Sequence, residues 1–306
     1  MLPFRLIYFE RYDLNLGAHV FPSQKYRWIA AHLLRTGFAT HEDFLAPTPA
    51  TDADMRLAHD ARWVEKLRTG MLTAEEIARL EIPYSPELIH AIWHATGGTI
   101  LACQLALGSG IGFNLGGGFH HAFPGHGEGF CAINDIAVAI RRLQHDGAIR
   151  RAMVVDCDVH HGNGTAAIFA DDPSVFTLSL HQRNNYPAEK PPSDLDVHLD
   201  DGTGDEEYLA LLDNALTTSL ARFTPDLMLY VAGADPYRDD QLGGLALSFD
   251  GLMARDRLVL ATARQQGIPV AVVLAGGYAR VVEDTVLIHA NTATVARDVV
   301  NFQPRL

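Results

Sequence analysis

Apolar residues recur at three- and four-residue intervals over 85–107, 132–146, 205–222, 250–266 and 281–300, the spacing that lines one face of a helix. Between these segments lie short, nearly continuous apolar runs at 111–115, 152–155, 175–180, 227–231 and 270–274. Runs of this kind form strands buried on both faces. Strand and helix alternate, and parallel strands need crossover connections. The pattern therefore predicts an α/β fold, a single domain over residues 1–306 whose mostly parallel sheet carries helices on both faces. A hydrophobic content of 48% supplies one large core, and no linker divides the chain. The longest segment without periodicity, 184–201, mixes Pro with charged residues and is expected to form an irregular rim loop.

In such sheets ligands bind beyond the carboxyl ends of the strands, and four of the five runs end in chemically capable residues. Gly116-Gly117-Gly118-Phe119-His120-His121 follows the first run and Asp156-Cys157-Asp158-Val159-His160-His161 the second. Ala232-Gly233-Ala234-Asp235 follows the fourth, and Ala275-Gly276-Gly277-Tyr278 the fifth.

Composition narrows the partners. Lys and Arg number 24 against 37 Asp and Glu, a formal net charge of −13, which argues against a broad basic face gripping nucleic acid. No apolar stretch reaches the roughly 18 residues that span a bilayer. Residues 1–10 place Arg5 inside an apolar run with no small-residue cleavage pattern after it, unlike a secretory signal. Three cysteines, Cys103, Cys131 and Cys157, show no paired spacing and fit a reducing compartment. A cytoplasmic protein is expected.

If the second strand continued, Asp156, Asp158 and His160 would project to one face. Two carboxylates and an imidazole brought out of water need a compensating cation, and Asp235 after another strand is the candidate further ligand. Two carboxylates with one imidazole leave a coordination position open for water, as in catalytic zinc sites, although Fe(II) or Mn(II) also suits such oxygen-rich ligation. Cys157 alternates to the opposite side as a small buried hydrophobe. His120 and His121 follow a glycine run that permits close approach of substrate, and paired histidines facing a metal can move protons, with Asp156 and Asn163 available to orient them. Tyr278 can donate to a developing oxyanion.

Taken in order, Gly-Gly-Gly-Phe-His-His, Gly129-Phe130-Cys131 with Asn134-Asp135, Asp-Cys-Asp-Val-His-His-Gly-Asn-Gly, Ala-Gly-Ala-Asp and Gly-Gly-Tyr resemble the zinc-dependent histone deacetylase superfamily. The likeness runs from about residue 5 to 300. Gly97-Gly98-Thr99, Asn185-Tyr186-Pro187 and the segment 239–245 look most like the class IV enzymes and their bacterial relatives.

The resemblance implies an arginase/deacetylase-like fold and hydrolysis of Nε-acyl-lysine. It makes Asp158, His160 and Asp235 the ligands of Zn2+, with Fe2+ the alternative ion, His121 the general base and acid, and His120 its electrostatic helper. Asp156 becomes the partner of His120, and Asn163 orients His121. Tyr278 polarises the scissile carbonyl. Phe130 and Tyr186 wall the acyl-lysine tunnel, Gly129 lends a backbone carbonyl, and Arg27 lines an exit channel for the released acid. A K+ ion is implied at Asp156, Asp158, His160, Ser179 and Leu180. The likeness to class IV also implies a preference for long acyl chains. One departure stands out: the family's rim aspartate aligns near Ile82, where the chain has none, and Glu81 is its neighbour.

Two readings compete within the architecture and one outside it. An acetylpolyamine amidohydrolase would use the acidic surface to attract a cationic substrate. A binuclear manganese hydrolase of arginase type would not need Tyr278 or the His120-His121 pair. A non-catalytic acyl-lysine binding module would need neither a base nor an open metal position.

Overall fold

The structure, a computed structural model, describes residues 1–302. Its strands are β1 (Leu6–Ile7), β2 (Phe44–Leu45), β3 (Ile111–Asn114), β4 (Ala152–Asp156), β5 (Val175–Gln182), β6 (Leu195–Leu199), β7 (Leu227–Val231) and β8 (Val270–Val273). Among the described residues they form one eight-stranded sheet in the order β2-β1-β3-β8-β7-β4-β5-β6, and every pairing is parallel. The helices are α1 (Lys25–Arg35), α2 (Asp52–Met55), α3 (Ala61–Thr69), α4 (Ala74–Leu80), α5 (Pro86–Ser109), α6 (Asp135–His145), α7 (Asn163–Phe169), α8 (Asp205–Arg222), α9 (Phe249–Gln265) and α10 (Val282–Asn301).

The strands alternate between two cores, as a two-residue side-chain period requires. Ala152, Val154, Leu227, Leu229, Ala271 and Val273 pack on one face with α3, α5 and α6. Met153, Val155, Met228, Tyr230, Val270 and Val272 pack on the other with α1, α8, α9 and α10. This three-layer arrangement is the expected parallel α/β sheet. Cys103, Cys131 and Cys157 are buried and unpaired.

The five helices and five strands read from periodicity are all present, and six elements that hydrophobic spacing did not announce precede residue 84: α1, α2, α3, α4, β1 and β2, the two strands only two residues long; α7 after β4 is a seventh. The stretch 184–201 is not wholly irregular. Its second half is β6, an edge strand pairing with β5 through Leu178↔Leu195 and Gln182↔Leu199. Leu195, Val197 and Leu199 alternate with Asp196 and His198, the pattern of a strand with one wet face rather than a buried run.

A buried histidine braces the connection from β3 to α6. His59 Nδ1 donates to the Phe123 carbonyl at 2.9 Å, and its Nε2 accepts from the Asn134 backbone N–H at 2.9 Å. Burial pushes His59 down from 6.5 to about 4, against the pull of its hydrogen bonds. Because the folded value is depressed, the contribution is full above the unfolded value and is lost as pH falls from about 6.5 toward about 4. From this site alone we expect stability to drop by about 2 kcal/mol between pH 7 and pH 5. Urea midpoints of the parent and His59→Gln over that range check it; equal slopes would refute the assignment.

Candidate active site

The glycine run after β3 is held by the start of α6. Asp135 accepts from the backbone N–H groups of Gly118 and Phe119 at 3.1 and 2.7 Å and from the Thr99 hydroxyl. Gly117 and Gly118 sit at φ +81° and +79°, a region that favours glycine, and a Cβ on Gly118 would lie 2.8 Å from that of Ala275. The turn delivers His120 and His121 to the strand tips with their rings 4.0 Å apart.

The two histidines differ sharply. His120 Nδ1 lies 2.7 Å from Asp156 Oδ2, and its Nε2 is 3.7 Å from Asp158 Oδ1. Burial opposes its charge, yet Asp156 and Asp158 hold it up at about 9. His121 Nδ1 instead donates to Asn163 Oδ1 at 2.7 Å. Burial, reinforced by the neighbouring His120 and His160, holds His121 well below the usual imidazole range. At neutral pH the pair is one cation beside one neutral base whose Nε2 is bare.

β4 ends at Asp156, and the chain then bends. Asp156 therefore turns to His120 instead of joining the other acids on one face. Asp158, His160 and Asp235 each offer one donor atom within 4.8 Å of the others, with His160 Nδ1 at 3.0 Å from Asp158 Oδ1 and 3.5 Å from Asp235 Oδ2. Backbone amides fix the carboxylates: Val159 N–H donates to Asp235 Oδ1 at 2.9 Å, and Gly276 N–H to Asp158 Oδ2 at 2.9 Å. Asp235 Oδ2 is buried with no hydrogen-bond partner. Burial, then the charge of Asp158, pushes Asp235 up to about 7. Burial would depress His160, but Asp158 and Asp235 hold it up at about 10. A Cβ on Gly276 would come within 1.9 Å of Asp235 Oδ2 and 2.6 Å of Asp158 Oδ2. An orphaned carboxylate oxygen beside a second acid and an imidazole, in a space only glycine leaves open, is a donor set that fits a divalent cation.

Tyr278 is buried beside this group, its ring 6.3 Å from that of His160. Its backbone N–H donates to Asp240 Oδ2 at 2.7 Å, and the same carboxylate receives Leu242 and Gly243 N–H. Burial and the nearby acids raise the phenol well above its usual value, so it stays a donor. Phe130 packs against Phe21 at 6.2 Å and against Tyr278 at 6.0 Å, while Tyr186 stands edge-on to His121 at 4.9 Å. Gly129 lies between the two walls, where a Cβ would meet His121 and Tyr186 at 2.8 Å each. Ser179 is the register partner of Asp156 across β4 and β5, and Leu180 follows it, both buried.

Arg27 is a correction. It is exposed on α1, and the buried cation at the site is Lys25, whose Nζ donates to the Ala275 carbonyl and lies 5.1 Å from the Phe21 ring. α1 turns residues 25, 26, 29, 30 and 33 inward, a stripe that skips 27. Burial lowers Lys25 to about 8 against the pull of Asp235, Asp158 and Asp240. Lys25, Phe21 and Asp240 were missed as site residues, as was Glu128, which accepts from Asn163 Nδ2 at 2.6 Å and from the Tyr186 hydroxyl at 3.0 Å. At the rim, Ile82 is buried and Glu81 exposed, its carbonyl bonded to His19 Nε2 at 3.0 Å. A separate group, His161, His181 and Asp196, also lies close together; it is tied by hydrogen bonds from His161 to Asp196 at 3.1 Å and from His181 to His198 at 2.8 Å.

A parallel α/β sheet with a neutral base, an acid-rich donor set and a phenol at its strand tips defines a hydrolase of the deacetylase and amidohydrolase kind. The histone deacetylase domain model matches residues 19–293, and the chain belongs to that family. It is 43% identical over 281 residues to an uncharacterized protein of Picosynechococcus sp., covering 92% of this chain and 94% of that one. It is 32% identical to histone deacetylase 2 of Arabidopsis thaliana, over 92% of this chain and 77% of the relative. The crystal structure of the HDA15 HD domain superposes with a TM-score of 0.79 at 26% identity, covering 97% of this chain and 87% of that one. No helix among the described residues is long and apolar enough to cross a membrane.

Proposed function

We propose that the protein hydrolyses the amide of an Nε-acyl-lysine, acetylated or carrying a longer acyl chain, in a peptide or protein. The observation that carries this reading is the orientation of His121: Nδ1 committed to Asn163 at 2.7 Å and Nε2 free beside the Asp158–His160–Asp235 set. A divalent ion, Zn2+ by family resemblance and Fe2+ by ligand chemistry, would be held by those three residues and would supply Lewis acidity toward the substrate carbonyl and the attacking water. His121 takes the water proton at Nε2 and later returns it to the departing amine. His120, held protonated by Asp156, presents positive charge to the developing oxyanion. Tyr278 donates to that oxygen, a contribution of about 2.7–4 kcal/mol for a donor of this kind. Phe130 and Tyr186 flank the alkyl stem of the lysine, and Gly129 leaves room between them.

The same reading assigns K+ to Asp156, Asp158, His160, Ser179 and Leu180, supported by the facing of Asp156 and Ser179 across the sheet. It assigns the chain to class IV on Gly97-Gly98-Thr99, Asn185-Tyr186-Pro187 and the segment 239–245, and to the cytoplasm on its unpaired thiols.

Phe21, Tyr26, the glycine run, His121 and Tyr278 line the space beside the donor set, and the likeness to class IV supports a long acyl chain there. Turnover of acetyl-, octanoyl- and myristoyl-lysine peptides and of N-acetylspermidine by the metal-loaded enzyme tests this. A long-chain peptide is expected to show the highest kcat/KM. Faster acetyl turnover would reject the long-chain preference, and faster acetylspermidine turnover would establish the polyamine alternative.

A further inference from the structure

We propose that Glu128 is a positioning residue: by holding the side-chain amide of Asn163 in one orientation, it fixes His121 in the tautomer that can act as a base. The inference rests on the reading of His121 given above. An asparagine amide has two unlike ends. With Oδ1 toward His121 it accepts the Nδ1 proton and leaves Nε2 bare; turned over, it would donate to Nδ1 and place the proton on Nε2, where no water proton could be received. His121 itself does not decide between these states, since each gives it one hydrogen bond.

Glu128 decides it. A carboxylate only accepts, and Glu128 Oε1 lies 2.6 Å from Asn163 Nδ2. The turned-over amide would set two acceptors against each other there. Glu128 is in turn held in place. Its backbone exchanges two hydrogen bonds with Cys131, at 3.0 and 2.9 Å, and Oε2 lies 3.2 Å from His126 Nε2. Oε1 also accepts from the Tyr186 hydroxyl at 3.0 Å, so one oxygen anchors both the base's partner and a tunnel wall. Its side chain is only 17% exposed, which shields these bonds from competing water.

The test is a double-mutant cycle on the metal-loaded enzyme with Glu128→Ala, Asn163→Ala and their combination, reading kcat and KM separately, with metal content and thermal midpoint measured for each variant. Glu128→Ala is expected to lower kcat by about 10- to 100-fold, the usual cost of losing a group that orients a site residue. In the Asn163→Ala background the same change is expected to cost less than about threefold, because the two act in series. Glu128→Gln, whose amide can donate as well as accept and so pairs with either orientation of Asn163, is expected to leave kcat well below the parent while preserving the thermal midpoint. Tyr186→Phe deletes only the phenol contact and is expected to alter KM more than kcat. Full multiplication of the two alanine effects, or an unchanged kcat in Glu128→Ala, overturns the inference. An unchanged kcat in Asn163→Ala would instead strike the underlying reading of His121.

Discussion

Replacing His121 with alanine is expected to lower kcat on an acetyl-lysine peptide by about 10³-fold while leaving metal content and thermal midpoint close to those of the parent. The magnitude is that of removing a positioned general base and acid. The sparing of the fold follows from the geometry: His121 makes one side-chain hydrogen bond, to Asn163, and the donor set is fixed separately by the amides of Val159 and Gly276. Steady-state kinetics with metal analysis of the same preparation checks both halves. Loss of metal with activity would show that His121 holds the donor set together, and activity within tenfold of the parent would remove it from proton transfer.

The second large effect is expected at Asp235. Asp235→Asn should abolish stoichiometric retention of a divalent ion and lower turnover by at least about 10³-fold, because a neutral amide replaces one of two charges that offset the cost of drawing the ion out of water. In metal-free protein the sign reverses. Asp235 is held up at about 7 by burial and by Asp158, so its folded-state value exceeds the unfolded one. The stability it contributes is full below the unfolded value of 3.8 and is lost as pH rises toward 7. Metal-free Asp235→Asn should therefore equal or exceed the metal-free parent in urea midpoint at pH 7.5, and the gap should close at pH 4. A variant less stable than the parent at both pH values would mean that Asp235 serves the fold rather than an ion.

How much of this could be read before folding depends on where each signal resides. Helices such as α6 and α10 carry their apolar stripe within one segment, and β4, β7 and β8 are buried on both faces, so local spacing announces them. β1 and β2 gain their identity only by pairing with neighbours 38 residues or more away, as in Leu6↔Phe44, and α2, a single turn, is too short for a period to show. The polar residues that interrupt apolar runs exposed the strand-tip chemistry at His120, His121, Asp158, His160, Asp235 and Tyr278. Lys25 and Glu128 gave no such signal. Lys25 reads as an ordinary surface cation until Ala275, 250 positions later, receives it, and Glu128 sits among glycines with its partners 35 and 58 positions away. The error at Arg27 has the same origin, since only helical phase tells which of two cations two places apart turns inward.

The sheet order carries a consequence for assembly. β8 slots between β3, which carries the histidine pair, and β7, which leads to Asp235. Until ribosomal synthesis passes residue 273, a growing chain has His120 and His121 on one half-sheet and Asp158 and Asp235 on another, with no strand pairing between them. The strand-tip cluster is thus completed late and all at once, when the penultimate element wedges the halves together.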